Sequence, residues 1–286
     1  MPEFFFVSKR NGVLGFRGLK GWQSRKPSTA ASILVADSMY EWPDFPEMRI
    51  SMEDYEDDND EYTFSKRHST RRTVPDFIFD AWPESRILDY DVVVSAMQDN
   101  GSAPATYHRV GWIGNTSTHP SRVELLAFHD GDVFDLFDLN WDTPTDYISL
   151  PDLTKRYSVL LDIEGHGYSG RLKLLFWSQR PVLMVERPHQ EFFFEHLKPW
   201  VHYVPVKSDL SDLKEKAKWC LTNYDEAQGI AQNALDFART HLTRDACYAR
   251  WDALIREHIA EAGWDKHRVR YWWNRVVRKV KAVVCW

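Results

Sequence analysis

Hydrophobic and polar positions change rhythm about a third of the way along this chain. From about residue 105 onward, short apolar runs alternate with stretches of helical period, whereas the first hundred residues are less regular. Residues 107–113 read as a strand ending in Gly114-Asn115-Thr116-Ser117, followed by a helix over 121–128 and a strand over 133–139. Val159, Leu160, Leu161 and Ile163 form a run suited to a strand covered on both faces. A helix over 171–178, a strand over 182–185, a helix near 190–197 and a strand over 201–206 continue the alternation. Beyond them Leu210, Leu213, Ala217, Cys220 and Leu221 recur at helical spacing behind Asp209, and Ile230, Ala231, Ala234 and Phe237 do so behind Asp225. Each of those aspartates suits an N-cap. Two last helices, over 245–262 and from 266 to the end, are separated by Gly263. The rhythm predicts an α/β fold with a doubly wound parallel sheet, in which ligands sit at the carboxyl ends of the strands. The short polar stretch 98–104, with Gly101 and Pro104, predicts a linker ahead of it.

The central strand runs straight into Glu164-Gly165-His166-Gly167-Tyr168-Ser169-Gly170-Arg171. Three glycines let the main chain turn sharply and come close to a ligand, and the first N–H groups of a following helix lack intrahelical partners. Arg171 adds a permanently charged fork, so the junction predicts an anion site. The Gly-x-Gly-x-x-Gly spacing also fits a dinucleotide loop, and a mere tight turn accounts for it equally.

Composition narrows the field. With 286 residues, 43% of them hydrophobic and 27% charged, the chain is a soluble globular protein with ample core. Its 13 Trp, 12 Tyr and 16 Phe are read first as core. A net charge of -6 argues against general nucleic-acid binding. Three cysteines without a C-x-x-C pair suggest neither a disulfide framework nor a zinc site and fit a reducing compartment. No leader-like segment and no run of 18 apolar residues stands out, so a cytoplasmic location is expected. The acidic run 53–61 is by default a solvated loop, although Asp58-Asn59-Asp60, like Asp130-Gly131-Asp132, has the Asp-x-Asp form that can hold a divalent cation. His166 could touch ligand, His202 reads as structural, and Glu186, just past a strand, could accept from a sugar hydroxyl. In 266–286, apolar Val269, Trp272, Trp273 and Val276 share a helical face edged by arginines and lysines. That face suits packing against the first domain or peripheral contact with an anionic membrane.

Three ordered motifs together are more specific than the glycine loop. The stretch 161–171, the run Leu197-Lys198-Pro199-Trp200 continuing to Leu210, and the pattern from Asn223 through Ala227-Gln228, Ile230-Ala231 and Phe237-Ala238-Arg239 to His241-Leu242 resemble glycosyltransferase family 90. That family includes the Rumi-type protein O-glucosyltransferases and capsule-associated xylosyltransferases. The resemblance implies a GT-B-like architecture of two Rossmann-like domains facing a cleft. Residues 1–104 would form the acceptor side, completed by helices within 245–286, and 105–244 would bind a UDP-sugar. It further implies an inverting, metal-independent transfer of xylose or glucose to a hydroxyl of a glycan or glycoprotein, with no cofactor beyond the co-substrate. With no secretory signal read in the sequence, the expected setting is the cytoplasmic side in a microbe or virus. Asp54, followed by Tyr55 and ahead of Phe64-Ser65-Lys66, matches the family's catalytic base. Gly114 and Asn115 match its donor loop, with the loop's leading arginine absent and Asn in place of Ser. Arg122 and Arg171 match diphosphate ligands, with Gly165, His166, Gly167, Tyr168 and Ser169 around them. A non-catalytic sugar- or nucleotide-binding module with a basic tail is the alternative.

Overall fold

A computed structural model describes residues 4–18, 24–54, 61–139 and 147–263. Its amino-terminal part is a three-stranded antiparallel sheet in the order β2-β1-β3, with β1 at Phe4–Arg10, β2 at Val13–Arg17 and β3 at Phe45–Ser51. Strict alternation in β1 buries Phe5, Val7 and Lys9 on one face. Asn11 and Gly12, both at positive φ (53° and 77°), make the two-residue turn into β2, and the Asp44 carboxylate accepts both their N–H groups at 2.8 and 2.9 Å. The three described strands of this half all pair antiparallel, so among the described residues the parallel, Rossmann-like sheet of the expected α/β fold is the second one. Helix α1 (Arg25–Tyr40) lies between β2 and β3 in sequence and packs on the last described helix, which returns here from the far end of the chain.

The second sheet is fully parallel: β4 (Tyr107–Gly114), β5 (Phe134–Asp138), β6 (Tyr157–Asp162), β7 (Val182–Val185) and β8 (Val204–Val206), ordered β5-β4-β6-β7-β8. All six residues of β6 are buried, as the continuous apolar run requires of a strand covered on both faces. The strand order reverses between β4 and β6, which makes the crevice beyond their carboxyl ends the switch point of the sheet.

Residues 98–101, read as the start of a linker, instead end helix α2 (Tyr90–Gly101), which Asp89 caps by accepting from Val92 N at 3.1 Å. Helix α2 packs on α4 (Leu150–Arg156) and α5 (Leu172–Leu175), and at Gly101 a β-carbon would lie 2.0 Å from the Ser178 carbonyl. Only a glycine lets that helix end come so close. Helix α3 (Pro120–Leu126) follows β4, and α6 (Leu213–Thr222), α7 (Tyr224–His241) and α8 (Arg244–Glu261) close the described chain. The helix read near 190–197 is a single 3-10 turn at Phe194–His196, and the helix after the glycine loop is one α turn followed by one 3-10 turn. Asp209 holds a turn by accepting from Ser211 N at 3.0 Å, and Asp225 sits inside the first turn of α7. One buried apolar cluster runs without a break from Phe5 and Ile33 through Phe77 and Tyr168 to Phe237 and Trp251, joining both sheets.

Candidate active site

A cavity of about 310 Å³ opens at the switch point, between the carboxyl ends of β4 and β6 on one side and the loops after β3 on the other. Gly114, Asn115, Arg122, Gly165, His166 and Arg171 line the sheet side, with Tyr168 and Ser169 behind them; Asp54 and Arg25 line the opposite side. The candidates read from the sequence therefore meet in one place, with two exceptions. Glu186 is exposed and is not part of the lining, and Gly167 is buried without lining it.

Main-chain carbonyls hold the two arginines. Arg122 donates from Nε to Glu164 O at 2.7 Å, from Nη1 to Asn115 O at 3.1 Å and from Nη2 to Ile163 O at 3.2 Å, while Arg171 Nη1 donates to Ile113 O. Both guanidiniums lie over the Trp112 ring, at 5.7 and 5.6 Å from its centroid. Carbonyls orient a guanidinium without cancelling its charge. Burial, with Arg171 beside it, pushes Arg122 down to about 9, and burial also lowers Arg171. A guanidinium does not give up its proton at neutral pH, and a bound anion would offset the repulsion of two buried like charges.

The glycines serve these arginines more than they serve a turn. A β-carbon at Gly114 would meet Arg171 Nη2 at 2.6 Å, and one at Gly165 would come within 3.3 Å of Arg122 Nη2. The positive-φ glycines of the described chain are elsewhere, at positions 12, 18, 131 and 263. The loop itself closes through Gly165 N to Tyr168 O at 3.1 Å. The helix after it is a single turn, too short to supply the N-terminal anion site that the sequence suggested.

Beneath the loop lie charges that the sequence reading missed. The Ser169 hydroxyl donates to Asp162 Oδ1 at 2.5 Å, and Arg187 pairs with Oδ2 of the same carboxylate. Lys173, fully buried, donates to Asp76 Oδ2 at 2.9 Å, Glu191 Oε1 at 2.7 Å and Gly170 O at 2.9 Å, and the Tyr168 hydroxyl donates to Asp76 Oδ2 at 3.1 Å. Burial raises the Glu191 carboxyl despite the pull of Lys173, and burial raises Tyr168 well above its ordinary value.

On the other wall Arg25 grips Asp54 with both arms, Nη1 to Oδ1 at 2.8 Å and Nη2 to Oδ2 at 3.2 Å. Arg25 belongs to no motif, so nothing in the sequence pointed to it. Asn115 turns its side-chain oxygen to Ser117 N and Oγ (2.8 and 2.7 Å) and so shapes its own loop. His166 is exposed at the rim. Asp130 is occupied as a turn cap, accepting from three consecutive main-chain N–H groups, and His202 accepts from Lys198 N at 3.1 Å and packs on Phe237, a structural role. Asp58-Asn59-Asp60 and segment 266–286 lie outside the described residues. Among the described residues no helix is long and apolar enough to cross a membrane.

The profile of Glycosyl transferase family 90 matches residues 34–277, and the chain belongs to that family. Human protein O-glucosyltransferase 1 is 40% identical over 103 residues, 36% of this chain and 26% of that protein. The rat protein O-glucosyltransferase 1 is 35% identical over 126 residues, 44% of this chain and 32% of its own length. Uncharacterized protein 035R of Invertebrate iridescent virus 3 is 38% identical over 106 residues, 36% of this chain and 10% of that protein. The chain thus spans about a third or less of the curated relatives it matches. Among solved structures, Anabaena HepE in complex with UDP aligns with a TM-score of 0.37 at 12% identity, over 57% of this chain and 44% of that one. The C-terminal domain of LpcC from Francisella tularensis aligns at 0.35 and 11% identity, over 51% and 91%.

Proposed function

We propose that the chain is an inverting glycosyltransferase that moves xylose or glucose from a UDP-sugar to a hydroxyl of a glycan or glycoprotein, with Asp54 as general base and no metal. One observation carries the reading. A single cavity has two guanidiniums oriented by carbonyls on the side of the parallel sheet and a carboxylate on the facing side. The arginines suit a diphosphate, and the carboxylate suits a hydroxyl that must lose its proton. In the step, the acceptor oxygen attacks the anomeric carbon from the face opposite the nucleotide while its proton passes to Asp54. The bond from the anomeric carbon to the diphosphate oxygen breaks, and its electron pair leaves with UDP. Negative charge grows on the diphosphate as the sugar gains oxocarbenium character, so cations already aimed at it stabilise the transition state more than the ground state. Residues 105–244 would form the donor side, and the antiparallel sheet with α1 and α8 the acceptor side.

Purified protein incubated with UDP-glucose or UDP-xylose should release UDP, and the rate should survive EDTA. Binding of the sugar nucleotide without release would make the chain a binding module. Loss on chelation, restored by manganese, would move the chemistry to a metal held by the acidic run.

A further inference from the structure

We infer that Arg25 is a positioning residue for Asp54, holding the base aimed from a stretch of chain that precedes the family match; the inference rests on Asp54 being the base. Residue 25 opens helix α1, nine positions before the matched region begins at 34. Its Nη1 donates to Asp54 Oδ1 at 2.8 Å and to Met52 O at 2.9 Å, and its Nη2 reaches Oδ2 at 3.2 Å. One guanidinium therefore ties the carboxylate to the main chain just past β3. Ser65 Oγ secures the other side by donating to the Asp54 carbonyl at 3.1 Å, and the guanidinium stands over Phe77, 5.1 Å from its centroid.

Burial separates this pair from ordinary surface pairs. The two side chains are 14% and 22% exposed, against 63% and 44% for the similar fork between Arg17 and Glu47 at the sheet edge. An exposed fork contributes little, whereas a sheltered one fixes geometry. Burial alone would lower the Arg25 guanidinium, but Asp54 and its neighbours outweigh it and the net shift is upward. Arg25 therefore keeps its proton and cannot itself serve as the base.

The fork uses two of the roughly four acceptor sites of a carboxylate, which leaves others for an incoming hydroxyl. When Asp54 takes the acceptor proton its charge disappears while Arg25 stays protonated, beside the cavity that holds the departing diphosphate. The pair is then neutral in the resting site and positive as negative charge builds on the leaving group.

The test is a double-mutant cycle on the full chain, reading UDP release from whichever of UDP-glucose and UDP-xylose the wild type turns over, together with UDP affinity. Arg25→Ala should lower kcat by about 10²-fold, the cost of a displaced catalytic group, with KM for the donor unchanged. Arg25→Lys should recover part of the loss, since it restores the charge but not the fork. In an Asp54→Asn background, Arg25→Ala should cost nothing further. Wild-type turnover in Arg25→Ala, a loss confined to KM, or independent, multiplying losses in the double variant would overturn the inference. If Arg25→Ala does not fold, Arg25→Lys carries the same cycle with the same three outcomes. Wild-type turnover in Asp54→Asn alone would instead remove the base assignment, a result distinct from any of these.

Discussion

The two walls of the cavity hold arginine in opposite ways. On the wall built by the parallel sheet, Arg171 hangs from a carbonyl near the end of β4 and Arg122 from carbonyls just past β4 and β6, and their charges remain available. On the facing wall Arg25 is closed onto a carboxylate and its charge is cancelled. The same side chain is thus left able to meet an anion in one place and is closed onto a carboxylate in the other. What decides is whether the partner is a dipole or an ion, because a carbonyl orients a guanidinium without neutralising it.

The largest expected effect contrasts the walls directly. Asp54→Asn keeps the shape of the side chain but cannot take a proton, so transfer should fall by about 10²–10⁴-fold while calorimetry finds UDP affinity unchanged. Normal transfer in a folded variant would dissolve the distinction between the walls. Next comes the strut between them: Lys173→Met leaves Asp76 and Glu191 buried without their cation and should cost about 3–5 kcal/mol in chemical denaturation. A loss under 1 kcal/mol would mean the network is not a strut. Arg171→Ala should weaken UDP binding by about 1.5–3 kcal/mol and lower transfer with it, since a charge-assisted contact is lost in both ground and transition states. Unchanged UDP affinity would take Arg171 off the donor wall. The smallest effect is a pH slope. Burial holds the Glu191 carboxyl above its ordinary value of 4.5 in the folded state, so the folded protein binds a proton that the unfolded chain releases. Stability should then fall as pH climbs from the ordinary carboxylate range towards the raised value, and Glu191→Gln should flatten that slope in melts taken across it.

The donor wall was legible in the sequence because its signals are local. A run of apolar residues gives β6, the switch of periods gives the parallel sheet, and a glycine cluster ending in arginine marks the junction. Even so, the reason for the glycines was misread. Gly114 and Gly165 make room for guanidiniums that arrive from 57 and 43 positions away along the chain, and such room is invisible in a one-dimensional pattern. The facing wall was legible only through resemblance. Asp54 sits in an acidic run that reads as a solvated loop, and its partner Arg25 comes from a different element, as do the members of the Asp76, Lys173 and Glu191 cluster. Pairings between distant elements leave no periodic trace. The antiparallel sheet was missed for a related reason: β1 and β3 pair across the intervening β2 and α1, and Asn11-Gly12, the local hairpin signal, went unread.

Lys173 has a consequence for how the two described halves can move. Its ammonium joins Asp76, which follows the amino-terminal sheet, to the helix after β6 and to Glu191 beyond β7, and the apolar core runs through the same region. Swinging the two halves apart about a hinge would part Lys173 from Asp76 and leave that buried carboxylate without its cation. The buried pair and the shared core therefore both oppose a hinge opening of the described halves. A sugar transferase built this way would select its donor by the fit of a preformed slot rather than by the closing of a jaw.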